Sequence, residues 1–122
     1  MGLEATNRAI SGGAAIELRG DIDSTARVAL AAAYDESAPT GRLLLDFERV
    51  AYIDSTGIAL IVDLLARARG DGRSVAARGL SDHYREIFEI TRIADFITIL
   101  PDNDDDDPDD GAPRADEPGA EG

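Results

Sequence analysis

The chain has 122 residues and a formal net charge of −13 at pH 7, with 25 acidic and 12 basic side chains. It contains no cysteine, so disulfides, thiolate chemistry and a cysteine-ligated zinc site are excluded. The basic side chains are all arginines and form no cluster of the kind that neutralises phosphates, which argues against a nucleic-acid partner.

The acidic charge is concentrated near the C-terminal end of the sequence. Residues 101–122 contain ten acids and one arginine, which leaves 15 acids, 11 arginines and a net charge of −4 on residues 1–100. An acidic, Pro- and Gly-rich segment of this kind cannot bury enough apolar area to offset its ordering entropy. We therefore predict one folded domain over residues 1–100 and a disordered acidic tail over residues 101–122.

The run Asp102-Asn103-Asp104-Asp105-Asp106-Asp107 is a candidate calcium loop. It has no glycine at the sixth position, and Pro113 stands at the twelfth, where such a loop carries glutamate. We therefore expect neither a metal ion nor a cofactor. The first residues lack the layout of a signal peptide, and no apolar run approaches the ~18 residues of a membrane span. These features predict a cytoplasmic protein without a membrane span.

The first half of the chain predicts a hairpin, a helix and a buried central strand. Turn residues separate short apolar runs, and after Ser24, a residue type that caps helices, apolar residues recur at helical spacing. The predicted elements are strands at residues 3–10 and 14–19, a connection at 20–23, a helix from 24 to about 37, a strand at 43–47 and a connection at 48–52.

The second half alternates helices with short strands. The predicted elements are a helix at residues 55–69, a strand at 73–78, a helix at 82–90 that is capped by residues 79–82, and a last strand at 96–100. Strands that alternate with helices favour parallel strand pairs joined by helical crossovers, which is the α/β class.

Asp54-Ser55-Thr56-Gly57 stands where the central strand passes into the second predicted helix. Asp, Ser and Thr accept hydrogen bonds from the free amides at a helix start, and the helix dipole is positive there. From this spacing alone, Ser55 is interpreted as a helix cap with no further function. Asp54, beside it, is interpreted as a cap, a local anion, or both.

Two motifs of the chain resemble those of STAS-domain anti-sigma factor antagonists. One is Asp54-Ser55-Thr56-Gly57, between the strand Leu43-Leu44-Leu45-Asp46 and the helix start Ile58-Ala59-Leu60-Ile61-Val62, and the other is Gly20-Asp21-Ile22-Asp23. With the later strands and helices, the resemblance covers residues 8–100. It implies an α/β, STAS-like fold, in which helices pack mainly on one face of a mixed β-sheet.

The resemblance also implies a binding function and no enzymatic activity. An unphosphorylated antagonist of this family binds an anti-sigma factor that is itself an ATP-dependent serine kinase, and the sigma factor is released for transcription, often in a stress response. Phosphorylation of the serine that matches Ser55 then switches binding off. A separate phosphoserine phosphatase restores the unphosphorylated form.

The resemblance makes Ser55 the phosphorylation site, with Thr56 as the alternative hydroxyl. In the family, the loop that matches Gly20-Asp21-Ile22-Asp23 lies near the phosphoacceptor and contacts the partner kinase, which carries over most directly to Asp23. We therefore expect a partner-binding surface around Ser55. Its members would be Asp21, Asp23, Ser24, Asp54, Thr56 and Gly57.

The helix after Ser55 carries a further candidate for partner binding. With Ile58 at 0° and about 100° per residue, Val62 and Leu65 lie on the predicted core face. Leu60 and Leu64 lie at roughly 200° and 240°, beside Arg67 at about 180°. Two interpretations remain open. These leucines are either exposed and form a docking surface with Arg67, or they pack under a neighbouring loop or the first helix.

Other function classes have weaker support in the sequence. A hydrolase would need a base within reach of Ser55; His83 is the only histidine, and the Gly-x-Ser-x-Gly motif is missing. A STAS scaffold of a stress-signalling assembly, or an accessory subunit of a lipid-transport complex, would be distinguished by its partners. A small-ligand-binding STAS module would be favoured by a pocket beside Asp23.

Overall fold

The computed structural model describes residues 2–37 and 40–100, and this part of the chain forms five strands and three helices. The strands are β1 (Leu3–Ile10), β2 (Gly13–Ile22), β3 (Arg42–Ile53), β4 (Val75–Arg78) and β5 (Thr98–Ile99). The helices are α1 (Arg27–Glu36), α2 (Ser55–Gly70) and α3 (Asp82–Ile90). Short 3-10 turns at Ser24–Ala26 and Ile93–Asp95 precede α1 and β5. The predicted acidic tail and its candidate calcium loop lie outside the described residues.

The strands form a mixed sheet in the order β1-β2-β3-β4-β5. β1 and β2 are an antiparallel hairpin, in which Gly12 provides the positive φ of the turn. The pairs β2–β3, β3–β4 and β4–β5 are parallel. The predicted α/β class is therefore confirmed, including the opening hairpin and the parallel pairs joined by helices.

The helices pack on one face of this sheet. Leu43 and Leu45 on β3 belong to the same buried cluster as residues of α1, α2 and α3, among them Leu30, Ile61 and Phe88. Leu44 points to the opposite face, where it packs in a smaller cluster with Ile10, Ala15 and Ala76. Each leucine buried in this way stabilises the fold by about 1.5–3 kcal/mol.

The two central strands are longer than predicted. Residues 48–52 were expected to be a connection, but they continue β3 to Ile53 because they pair with Arg19–Ile22 of β2. Asp21 consequently lies in a strand, opposite Tyr52, and not in a loop. The pairing has two register shifts, so charged residues at positions 48 and 49 remain exposed while their main chain belongs to the sheet.

Three predicted boundaries are also corrected. Ser24 does not cap the first helix: Asp23 caps the 3-10 turn, and α1 begins only at Arg27. β4 begins at Val75 and not at residue 73, since the N–H of Arg73 donates to the Ala68 carbonyl at the end of α2. β5 contains only Thr98 and Ile99, and Phe96, where the strand was predicted to begin, is the C-cap of the preceding 3-10 turn.

A polar cluster, whose side chains are buried except that of Asp71, joins the C-terminal ends of α1 and α2. The Tyr34 hydroxyl donates a hydrogen bond of 2.6 Å to Asp71. The buried Arg73 guanidinium donates to the Gly41 carbonyl and to Ser37 Oγ, each at 3.0 Å, and lies 5.3 Å from the Tyr34 ring centroid. Burial, followed by the hydrogen bond to Asp71, raises the pKa of Tyr34 above its ordinary value, so the hydroxyl remains a donor further into the alkaline range.

Candidate functional site

Ser55 is the first residue of α2 and is exposed. The residue before it, Asp54, is the N-cap: its carboxylate accepts a hydrogen bond of 2.8 Å from the Gly57 N–H, and its carbonyl accepts one of 2.9 Å from the Ile58 N–H. The interpretation of Ser55 as the helix cap is therefore wrong. Because Asp54 has that role, the Ser55 hydroxyl is not required to begin the helix.

Gly57 brings the start of α2 against the end of β2. A Cβ atom at this position would lie only 1.8 Å from the Ile22 carbonyl oxygen. The same carbonyl accepts a hydrogen bond of 3.2 Å from the Asp54 N–H. Gly57 is buried by this contact, so the expectation that it lies on a partner-binding surface is corrected. Because glycine has no Cβ atom, it instead allows the two sequence motifs, which are separated by 30 residues, to approach each other closely.

The second motif forms the end of β2 and leads into the 3-10 turn that precedes α1. Asp23 is the cap of this turn, since its carboxylate accepts hydrogen bonds from the Thr25 hydroxyl and from the Thr25 N–H, the latter at 2.9 Å. The hydroxyl contact, followed by the N–H contact, lowers the pKa of Asp23. Ser24 is exposed, and Asp21 is half-buried at the end of β2. The structure therefore places the predicted residues Asp21, Asp23 and Ser24 on the strand end that α2 contacts through Gly57.

A residue of α3 also supports this corner, and the sequence analysis did not include it in the site. The Tyr84 hydroxyl accepts a hydrogen bond of 2.9 Å from the N–H of Ile53, the last residue of β3. The His83 ring lies 4.9 Å from the Tyr84 ring, in an edge arrangement. Among the hydrogen bonds of residues 2–37 and 40–100, none joins His83 to the Ser55 hydroxyl. The sequence signal at Tyr84 is its helical spacing from the apolar residues Ile87 and Phe88, and that signal indicates a core residue.

The end of β2, the start of α2 and Tyr84 of α3, which together form this corner, lie within the part of the chain that matches a known domain family. The family described as "Mlab, STAS domain" matches residues 7–101, which include β2, Ser55 and α3. The chain belongs to the STAS domain family. The family resemblance of the two motifs is thereby confirmed over most of the chain.

Curated relatives of this STAS domain include proteins named anti-sigma-B factor antagonist. The protein from Listeria monocytogenes is 37% identical over 57 residues, which are 47% of this chain and 50% of that protein. The protein from Staphylococcus aureus is 32% identical over 60 residues, which are 49% of this chain and 56% of that protein. The chain thus spans about half the length of the curated relatives that it matches.

Two solved structures share the STAS fold. The anti-sigma factor antagonist SpoIIAA, in its unphosphorylated form, superimposes with a TM-score of 0.59 at 17% identity, and the match covers 80% of this chain and 87% of SpoIIAA. An anti-sigma factor antagonist from Mycobacterium paratuberculosis has a TM-score of 0.62 at 21% identity, with 84% and 89% of the two chains covered. Both confirm the predicted mixed sheet with helices.

The STAS domain does not expose the two leucines that were candidates for docking. Leu60 and Leu64 are 5% and 7% exposed and line a small cavity of about 150 Å³ between α1 and α2. Of the two interpretations left open, packing against the first helix is the right one. Conversely, Val62 was placed on the core face and is 44% exposed. The apolar stripe of α2 is turned because both the sheet and α1 cover this helix.

Arg67 lies at the same α1–α2 contact but remains exposed. Its guanidinium pairs with Asp35 of α1 and stands 4.4 Å from the centroid of the Tyr34 ring. This arrangement ties Arg67 to α1, so its predicted role in partner binding would compete with an existing ion pair. The pair itself contributes little to stability because both side chains are about half exposed.

The described part of the STAS domain offers no obvious metal centre. Within it, no three His, Cys, Asp or Glu side chains are grouped so that they could hold a metal ion. Its helices also include none that is long and apolar enough to cross a membrane. Asp23 does not line the α1–α2 cavity, so that cavity is not the pocket expected for a small-ligand-binding module.

Proposed function

We propose that this STAS domain is an anti-sigma factor antagonist that is switched by phosphorylation of Ser55. The observation that carries the proposal is the exposed Ser55 hydroxyl at the start of α2, beside a separate cap, Asp54. A hydroxyl in this position is accessible to a kinase, and its modification leaves the cap intact. The names of the curated relatives and of the two solved structures support the antagonist function.

In this proposal the unphosphorylated domain binds an anti-sigma factor that is also an ATP-dependent serine kinase, and a sigma factor is released. The contact surface consists of Ser55 with its exposed or half-exposed neighbours Asp21, Asp23, Ser24 and Thr56. The protein acts in the cytoplasm as a binding module and not as an enzyme. A phosphoserine phosphatase returns it to the binding state.

The switch acts through charge at the interface. A phosphate adds about −1.5 to −2 charges to the side chain. The amino-terminal end of α2 tolerates an anion because of the helix dipole, so the fold is retained. Asp54 and Asp23 already make this corner acidic, and the lowered pKa of Asp23 keeps that carboxylate ionised. Phosphorylation therefore places a strongly solvated anion, next to existing carboxylates, in a contact that formed around a neutral serine, and the like-charge repulsion and desolvation cost weaken binding.

The test is incubation of the protein with an anti-sigma factor kinase of the source cell and ATP. We expect one phosphate on the peptide that contains Ser55, and none in Ser55→Ala. Calorimetry should show that Ser55→Ala binds the kinase like the wild type, whereas the phosphorylated protein and Ser55→Asp bind weakly. The aspartate is the milder change because it carries less charge than a phosphate.

Two outcomes separate the proposal from its alternatives. Thr56→Ala is the matched control, and loss of modification in this variant with retention in Ser55→Ala would move the site by one residue. A complex that is equally tight with fully phosphorylated protein would refute the charge mechanism. Such phosphorylation-independent binding would favour a scaffold or accessory subunit.

A further inference from the structure

A second surface lies at the opposite end of α2 from Ser55. Arg69 follows Ser55 by 14 residues, or about 21 Å along a helix that rises 1.5 Å per residue. There, a groove of about 230 Å³ separates α2 from the segment at residues 91–96. We call it the distal groove; its lining includes Val62, Ala66 and Arg69 on one side, and Arg92 and Phe96 on the other.

The distal groove exposes large apolar side chains. Val62 is 44% exposed and Phe96 is 54% exposed. These are two of the five large apolar side chains that the described residues leave exposed. Clustered apolar exposure of this kind is typical of surfaces that another molecule covers.

The groove also concentrates positive charge in an acidic protein. The Arg69 guanidinium lies 5.3 Å from the Phe96 ring centroid, and Arg92 pairs with Asp95 at 2.9 Å. A wider depression of about 480 Å³ adjoins the groove, shares Arg69 and Phe96 with it, and adds Arg73. Arg73 is buried and bonded to Gly41 and Ser37, so the accessible charge of the groove comes from Arg69 and Arg92. Among the described residues, no acidic side chain lines the distal groove itself, whereas residues 1–100 as a whole carry a net charge of −4.

The backbone of Arg92 is a separate indication that this side chain matters. Arg92 has φ +70°, and no other non-glycine residue in the described part of the chain has a positive φ. It directly follows the cap of α3, a position where glycine is the usual residue because it has no Cβ to strain. An arginine at this position carries a backbone cost that glycine would avoid, while its exposed guanidinium lines the groove.

We propose that the distal groove binds an acidic, apolar peptide segment of a protein partner. A large apolar side chain of the segment enters between Val62 and Phe96, and flanking carboxylates pair with Arg69 and Arg92, whose planar guanidinium groups suit such contacts. The acidic residues 101–122 of this chain could pair with the arginines, but they contain no large apolar side chain to fill the groove, so they are the less suitable occupant. Since the site is distant from Ser55, the domain can hold this partner and an anti-sigma factor at once.

The probe is a blocked synthetic peptide, Asp-Asp-Phe-Leu-Asp-Asp, titrated into the isotopically labelled full chain and followed by NMR. We expect amide shifts confined to the distal groove, and none with a peptide in which lysine replaces aspartate. Arg69→Gln and Arg92→Gly should each weaken binding about tenfold, as for loss of a charge-assisted hydrogen bond. The matched control Arg49→Gln removes an exposed, ion-paired arginine elsewhere and should bind like the wild type.

Stability measurements distinguish loss of the site from loss of the fold. Arg92→Gly relieves the positive φ and removes only an exposed ion pair, so the thermal midpoint should be unchanged or higher while peptide binding falls. Val62→Ser should also weaken binding, whereas Val28→Ser, an exposed valine on α1, should not. Ser55→Asp should bind the peptide normally, so failure of the phosphorylation switch leaves this inference intact.

The proposal is overturned by any of four results. The first is the absence of shifts in the groove at the highest concentration at which the peptide is soluble, and the second is equal binding of the lysine peptide. The third is tighter binding of a synthetic peptide of residues 101–122, which would make the groove a site for the chain's own acidic segment. The fourth is displacement of the peptide by phosphatidylglycerol vesicles but not by phosphatidylcholine vesicles, which would indicate a membrane surface as the occupant.

Discussion

Replacing Gly57 with alanine tests the contact that brings the two motifs of the site together. Helix propensity alone would favour alanine by up to about 1 kcal/mol. The structure predicts the opposite sign, because the new Cβ atom would lie 1.8 Å from the Ile22 carbonyl oxygen, where ordinary contact begins near 3.4 Å. The start of α2 must then move away from β2 by roughly 1.6 Å, the difference between these distances.

This displacement has a cost that can be estimated. It breaks the 3.2 Å hydrogen bond from the Asp54 N–H to Ile22, worth about 0.5–1.5 kcal/mol, and overpacking adds about 1–3 kcal/mol. When the gain in helix propensity is subtracted from these two costs, Gly57→Ala should lower the free energy of unfolding by about 2 kcal/mol. For a domain of this size the thermal midpoint should fall by roughly 10 °C.

Urea denaturation followed by circular dichroism measures the change, and Gly70→Ala is the matched control. Gly70 is the last residue of the same helix, and a Cβ atom added there would meet no other atom within 4 Å. Alanine should therefore be neutral there or stabilise by up to about 1 kcal/mol. If Gly57→Ala proved as stable as Gly70→Ala, the close approach of α2 to β2 would be refuted.

Three further outcomes are expected. Leu60→Ala or Leu64→Ala should each destabilise the protein by about 2–5 kcal/mol in chemical denaturation, since both side chains are buried. A change below about 1 kcal/mol would instead indicate that these side chains are exposed. Tyr34→Phe should cost about 1 kcal/mol through the lost hydrogen bond to Asp71. Because the pKa of Tyr34 is raised in the folded protein, its contribution to stability is fully present below the unfolded pKa of about 10 and is lost as the pH rises through the folded pKa. The free energy of unfolding, measured over a pH series, should therefore fall less steeply at alkaline pH in Tyr34→Phe than in the wild type. Deleting residues 102–122 should change the thermal midpoint by only a few degrees, and a large drop would show that they contribute to the fold.

Local sequence signals were sufficient to locate most elements and the corner at Ser55. A continuous apolar run, a capping residue and a change to helical spacing all act within a few residues, so β3, α2 and the boundary between them could be predicted. The interpretation that failed at this corner concerned which side chain caps the helix. Asp54 and Ser55 are both suitable caps, and only the extended backbone of Asp54 decides between them.

The sequence by itself thus determined the α/β class, the STAS family and the position of the Ser55 corner, whereas long-range packing decided which side chains are accessible there. Helical spacing sets the intervals of apolar residues on α2, but the face that is buried depends on where α1 and the sheet lie. Val62 was therefore assigned to the wrong side, and the position of Leu60 was left open. The full length of β3 depends on pairing with β2, far away in the sequence. Tyr84 joins the site because α3 packs across the end of that strand, and no local pattern encodes such a contact.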